Sequence, residues 1–359
     1  MSLFLVTDND RRVYEEQIAP FLPQKMIDIH THVWLDKLRA HKPLKEGEVK
    51  RTVTWPSLVA KDNSVEDLQE TYRLMFPDKQ VTPLMFALAE RESLPVCNDY
   101  VSDASRRTGY PALYYSDPME DVETLERRVR EGGFVGLKSY LDLSPAYLPE
   151  AEIRIYDFFP KEHLKLMDRL GGIIMLHIPR NGRLKDPVNI AQIKEIKQAY
   201  PNIRLILAHI GRAYVEGDVG NAFKELTACA ECATLKFDFC ANTSEFAMTK
   251  LLEAYGPKGA LFGSDLPILR MRMRRIEENN TYINLIPPGL YGDPKQDSHL
   301  REVSKEEGEK LTFFMYEELM AFLRAARNVG LSQQDMEDVF YNNSKALLDG
   351  ARADIYGNK

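Results

Sequence analysis

From about Pro111 onward the chain alternates short β-rich apolar runs with longer amphipathic stretches. That alternation restricts the fold more than any other feature, because it marks βαβ units laid into a parallel sheet. The runs are Ala112–Tyr115, Phe134–Tyr140, Gly172–His177, Ile203–His209, Leu235–Phe239 and Ala260–Asp265. Met26–His32 and a weaker run at Thr82–Ala89 precede them, which brings the expected strands to eight. Between them Val122–Glu131, Lys161–Leu170, Pro187–Ala199, Asn221–Cys232 and Ser244–Tyr255 space apolar residues for one buried face and read as helices. Eight parallel strands with right-handed helical crossovers close into a (β/α)8 TIM barrel of the α/β class. An open doubly wound sheet is the alternative, but it more often carries a glycine-rich turn after its first strand, and none stands here.

The length of 359 residues suits one barrel domain with additions better than a bare barrel of about 250 residues. Leu35–Gln80 is too long for a simple connection after the first strand. It holds Trp55, Pro56 and an expected helix at Ser64–Met75, and is read as an insertion placed to form a lid or pocket wall. The tail from Ser304 to Leu348 is helical by periodicity, with Gly330 as a stop and Ser332 as the N-cap of the last helix.

A composition of 44% hydrophobic and 28% charged residues fits a globular chain, and a net charge of -7 gives no electrostatic reason to approach nucleic acid or an anionic membrane. A small-molecule partner is expected instead. Met1–Val6 lacks the charged-then-apolar order of a signal peptide, and no apolar run nears the roughly 18 residues of a membrane span, so the chain reads as cytoplasmic. Four cysteines are too few for a disulfide scaffold, and Cys229 with Cys232 is read as two small residues on one helix face.

The first strand ends in His30-Thr31-His32, and strand alternation points both imidazoles the same way. His177 and His209 close two further apolar runs, and Asp265 closes the last. In a barrel those strand ends converge on the catalytic face. Imidazole nitrogen and carboxylate oxygen are what a zinc-like or manganese-like ion takes as ligands while leaving a position for water. Polar groups gathered at apolar strand ends are costly unless paired or metal-bound. The other histidines, His41, His163 and His299, are expected at the surface.

Taken in order, Asp28-Ile29-His30-Thr31-His32, Gly133–Tyr140, His177, His209-Ile210-Gly211, Gly263-Ser264-Asp265-Leu266-Pro267 and Val339–Leu348 resemble the amidohydrolase superfamily. The likeness is to the branch that includes aminocarboxymuconate-semialdehyde decarboxylase and related decarboxylases and hydrolases. It runs from Met26 to Leu348. The resemblance implies that His30, His32, His177 and Asp265 hold one divalent ion, zinc first and manganese second. His209 then polarises the substrate or orients water, and Asp265 also acts as general base. Barrels of this branch often pair, which extends the expectation to a homodimer.

Lys138 has two readings. Carboxylated, it bridges two metals, with His177 and His209 on the second; unmodified, it is a cation that holds a substrate carboxylate or pairs with Asp265. The resemblance favours the second. Tyr140, Arg180 and Arg212 are candidate substrate contacts from their places after strands four, five and six. The run Arg270, Arg272, Arg274 and Arg275 reads as a solvated face. The leading function is a hydrolase using a metal-activated water on a small, anionic cyclic ester or amide. Non-oxidative decarboxylation of an unsaturated or aromatic acid at the same site is the alternative. A barrel retained only for binding ranks last, because the ligand positions are intact.

Overall fold

The computed structural model describes residues 2–41, 56–291 and 297–357; Trp55 and the centre of the expected insertion lie outside them. The eight expected strands all form. They are β1 (Lys25–His32), β2 (Gln80–Phe86), β3 (Tyr114–Tyr115), β4 (Gly136–Lys138), β5 (Ile173–Leu176), β6 (Arg204–Leu207), β7 (Lys236–Asp238) and β8 (Ala260–Leu261). β3 to β8 make one parallel sheet in sequential order, and β1 pairs with β2. Two junctions close the ring. Met85 bridges to Ala112, and on the other side the Ile29 amide donates to Phe262 O at 3.0 Å and the Asp265 amide to His30 O at 2.8 Å. The open-sheet alternative is therefore excluded, and the strand ends surround one central site.

Crossover helices form where an apolar stripe and a cap coincide. Asp121 caps Val122–Gly132 by accepting from the Thr124 amide, and Asp186 caps Pro187–Ala199, whose Pro187 occupies the first turn without wasting a donor. Gly171 ends Lys161–Leu170 at φ 60°, a backbone region open to glycine at no steric cost. The long β1–β2 connection carries the helix expected there, as Val65–Met75 with Ser64 as its N-cap. Its Leu68, Tyr72 and Met75 are buried against the barrel. The tail supplies Phe314–Asn328, Gln333–Glu337 under a Ser332 capping box, and Asn343–Tyr356. No helix among the described residues is long and apolar enough to cross a membrane.

Several expectations need correction. The helix expected over Asn221–Cys232 is Ala222–Thr227, followed by a separate 3-10 turn at Ala230–Thr234. Cys229 therefore lies in the break, as the N-cap of the 3-10 turn, and Cys232 inside that turn, so they do not share an α-helix face; both are buried thiols. His163 is not at the surface. It is 2% exposed in the apolar stripe of its helix, with Nε2 at 2.8 Å from Glu120 O. After β8 the chain builds a small sheet that periodicity did not indicate, from β9 (Arg274–Glu278), β10 (Thr281–Ile286) and β11 (Leu300–Glu302).

The arginines of that region are mostly engaged. Arg270 is buried and donates to Asn63 Oδ1. Arg272 forks onto the buried Asp10 carboxylate at 2.9 and 2.6 Å. Arg275 donates to Ala241 O and Asn284 Oδ1. Only Arg274 fits the solvated reading.

Candidate active site

β1 delivers His30 and His32 from the same face of one strand. His30 is 1% exposed, and its Nδ1 lies 3.0 Å from Asp238 Oδ2. Nδ1 of His32 donates to Ala87 O at 2.8 Å. With both Nδ1 atoms committed to acceptors, the Nε2 atoms turn inward, 3.5 and 3.3 Å from Asp265 Oδ1. His209 follows β6 with its Nδ1 at 3.0 Å from Cys240 O, the same arrangement. A ring nitrogen that donates on one side presents its lone pair on the other, which is how a histidine is prepared as a metal ligand.

The four histidine rings form a continuous row. Centroids are 5.7 Å apart for His32 and His30, 5.0 Å for His30 and His209, and 5.3 Å for His209 and His177. Tyr140 continues it, 4.5 Å from His177 between centroids, with its hydroxyl 3.5 Å from His177 Nε2. His177 stands apart from the two groups whose ligand atoms all lie within 4.8 Å of one another, which are His30, His32, Asp265 and His30, His209, Cys240. Its Nδ1 is buried without a hydrogen-bond partner among the described residues.

Two residues of the site hold backbone that non-glycine residues seldom adopt, His209 at φ 57° and Asp265 at φ 58°. Each is fixed by a hydrogen bond into the site: the His209 amide to Asp238 Oδ1 at 2.7 Å, and the Asp265 amide to His30 O. The chain thus turns sharply at the strand end and aims the side chain inward.

Burial dominates the protonation of the row. It pushes the His30 imidazolium down to about 4 against the opposing pull of Asp238. Burial also lowers His177 well below the ordinary value, helped by Arg212 and His209, and lowers His209. Asp265 is pushed up by burial, but His32, His30 and His209 outweigh this and hold it well below the usual carboxylate range. Burial thus favours the neutral imidazole at His30, His177 and His209 beside an ionised Asp265, which is the protonation a divalent cation requires of its ligands. The donor set fits such an ion.

A family model described as amidohydrolase matches residues 27–350. The chain belongs to the amidohydrolase family. Solved structures share the fold of this amidohydrolase at low identity. A 5-carboxyvanillate decarboxylase from Sphingomonas paucimobilis aligns at 12% identity and a TM-score of 0.57, over 91% of this chain and 99% of that one. An amidohydrolase from Burkholderia multivorans with bound zinc aligns at 12% and 0.53, over 90% and 99%. A dihydroxybenzoic acid decarboxylase from Polaromonas with bound manganese aligns at 14% and 0.53, over 91% and 97%. No curated protein matches the chain.

In this amidohydrolase the remaining expected residues fall around the row. Lys138, at the end of β4, is 1% exposed and has its ammonium 5.4 Å from the Phe86 ring centroid. Burial lowers it to about 8, opposed by Asp238, Asp265 and Cys240. Arg212 donates through Nη1 to Pro179 O at 2.9 Å and Ile178 O at 3.3 Å. Arg180 is drawn away to Asp186 at 3.2 Å.

Asp238, Cys240 and Phe86 were not anticipated. Phe86 packs edge-on against His30 and His32. Cys240 Sγ lies 3.1 Å from His209 Nδ1 and 2.9 Å from Asp238 Oδ1. A signal for the first two existed: Asp238 closes β7 and Cys240 follows two residues on, the spacing that keeps two side chains on one face of an extended chain.

Proposed function

We propose that this amidohydrolase is a metal-dependent hydrolase of a small, anionic cyclic ester or amide. The observation that carries this reading is the ionised Asp265 carboxylate set against Nε2 of both His30 and His32. A divalent ion held by His30, His32, His177 and Asp265, zinc before manganese, supplies a lowered water pKa and a polarised substrate oxygen. Asp265 takes the proton of the water that attacks the carbonyl carbon. It then gives that proton to the leaving oxygen or nitrogen as the ring bond breaks. His209, its Nδ1–H given to Cys240 O, presents the Nε2 lone pair, which accepts a hydrogen bond from the attacking water and orients it. Tyr140, beside His177, and Arg212 flank the substrate on the opposite side from His32. Arg212 is better placed than Arg180, whose guanidinium Asp186 engages.

A second reading, release of carbon dioxide from an unsaturated or aromatic acid, is favoured by the Phe86 and Tyr140 rings, which offer flat walls on either side of the row. Two of the three similar structures named above are decarboxylases, although fold does not decide reaction. One experiment separates the readings. The zinc-loaded protein is offered a panel of lactones and a panel of hydroxybenzoate-type acids, with ring opening and carbon dioxide both recorded. Ring opening is the expected result; carbon dioxide from the acids without any ring opening overturns the hydrolase.

A further inference from the structure

We propose that Lys138 acts as a free ammonium that binds the substrate's carboxylate inside the barrel, so that the substrate is a small carboxylate whose acid group enters first. This deepens the reading above and rests on it for the position of the reacting carbonyl.

Burying a charge costs free energy. An ammonium removed from water is retained only where it is paired, hydrogen-bonded or used. Among the described residues two lysines are nearly without exposure, and they differ in this respect. Lys197 donates to Ile203 O at 2.9 Å and Pro201 O at 3.3 Å, so its charge is held by carbonyls. Lys138 makes no hydrogen bond or ion pair through Nζ with any described residue, and its one contact of note is the Phe86 ring face. Asp238, Asp265 and Cys240 act on it only through space. The ammonium is therefore waiting for an anion that the protein does not provide.

The neighbours of Lys138 describe what that anion belongs to. Tyr115 of β3 is its partner in register, so both side chains point into the barrel. Tyr115 is 1% exposed, and its hydroxyl has no hydrogen-bond partner among the described residues, though it feels Tyr140 and Asp265. One cationic and one hydroxyl donor on adjacent strands match the two oxygens of a carboxylate. The Phe86 ring under the ammonium and the Tyr140 ring against His177 offer aromatic surface near these donors, which suits a planar acid. A carboxylated Lys138 would instead bring negative oxygens toward Asp265 and Asp238 and needs a second cation to offset them.

Isothermal titration with benzoate, and with the neutral isostere benzamide, tests this on wild type, Lys138→Met and Lys138→Gln, each zinc-loaded and metal-stripped. Wild type is expected to bind benzoate and to bind benzamide more weakly. Both variants lose benzoate affinity by about tenfold or more, the loss expected of a charged hydrogen bond, with zinc content unchanged. Their Tm is equal to or above that of wild type, because the uncompensated charge is gone. Equal benzoate affinity in wild type and variants overturns the proposal. So does failure of wild type to bind benzoate at millimolar concentration, or a carbamate resonance from labelled bicarbonate that Lys138→Met abolishes. Failure of wild type to bind zinc overturns the hydrolase reading alone, since the benzoate comparison is repeated on metal-stripped protein.

Discussion

Nδ1 of His30 and Oδ2 of Asp238 lie 3.0 Å apart, both fully buried, while the other oxygen of that carboxylate accepts from the His209 amide. One side chain thus orients two histidines of the row. Asp238→Asn keeps the shape but turns an amide N–H₂ or a neutral carbonyl toward His30, which loosens the Nδ1–H tautomer. Zinc affinity is expected to fall by about 10- to 100-fold, the usual cost of losing an outer carboxylate partner. Asp238→Ala also leaves a buried donor unpaired and is expected to cost about 2 kcal/mol of stability. Competitive zinc titration and thermal melts read the two effects. Unchanged zinc affinity in Asp238→Asn removes His30 Nε2 from the ligand set.

Gly263 tests how closely the strand ends are packed. A Cβ there meets His30 Cβ at 3.0 Å, Asp238 Cβ at 3.3 Å and Cys240 Cβ at 3.4 Å. These atoms are rooted in backbone and cannot swing aside. Gly263→Ala is expected to cost about 1–3 kcal/mol, as overpacking does, and to weaken zinc binding because His30 moves. Gly109→Ala is the control: it has no atom within 4 Å but a φ of 76°, so it strains a helix end far from the site. Zinc binding should be untouched there. Weakening in both variants alike marks a general loss of stability.

The barrel and the histidine row were legible because each is carried by local pattern. His30, His32, His177, His209 and Asp265 all sit where an apolar run stops, and closure of the sheet does the rest. What stayed hidden depends on pairings distant in sequence. Asp238 gains meaning only from His30, 208 residues away, and Arg270 only from Asn63, 207 away. A run such as Arg274–Glu278 looks like solvated charge, since its half-exposed strand has no apolar face to announce it. His163 hid for the opposite reason: one polar residue inside a strong apolar stripe resembles a surface position until the helix is packed.

Metal content is the most direct check on the row. Elemental analysis of wild type should give about one divalent ion per chain, held by His30, His32, His177 and Asp265 with a position left for water, and His30→Ala with His32→Ala should remove it. Chelation is expected to lower stability by about 3–4 kcal/mol at free metal 100 to 1,000 times Kd, read as a Tm shift that zinc restores. About two ions per chain, against the one expected of an open site, would place His209 among the ligands and Lys138 in its carboxylated form. No ion in wild type removes the hydrolase reading.

Glu318, on the helix Phe314–Asn328, is 0% exposed, and neither carboxyl oxygen has a hydrogen-bond partner among the described residues. Burial, with Asp28 and Asp238 adding their repulsion, holds its pKa well above the ordinary carboxyl value, although the Ala241 and Asn242 amides pull it down. The folded protein therefore keeps a proton that the unfolded chain releases near pH 4.3. A raised folded pKa contributes stability that is complete below the unfolded value and is lost as pH rises toward the folded one. Glu318→Gln carries no such proton, so its stability should fall less with pH. The gap between variant and wild type should widen by up to about 1.4 kcal/mol per pH unit above pH 5, until the folded pKa is reached. Urea denaturation at pH 5, 6, 7 and 8 measures that gap. A constant gap across the series shows that Glu318 ionises in the folded state as it does in the unfolded one, and that an anion is tolerated behind β7.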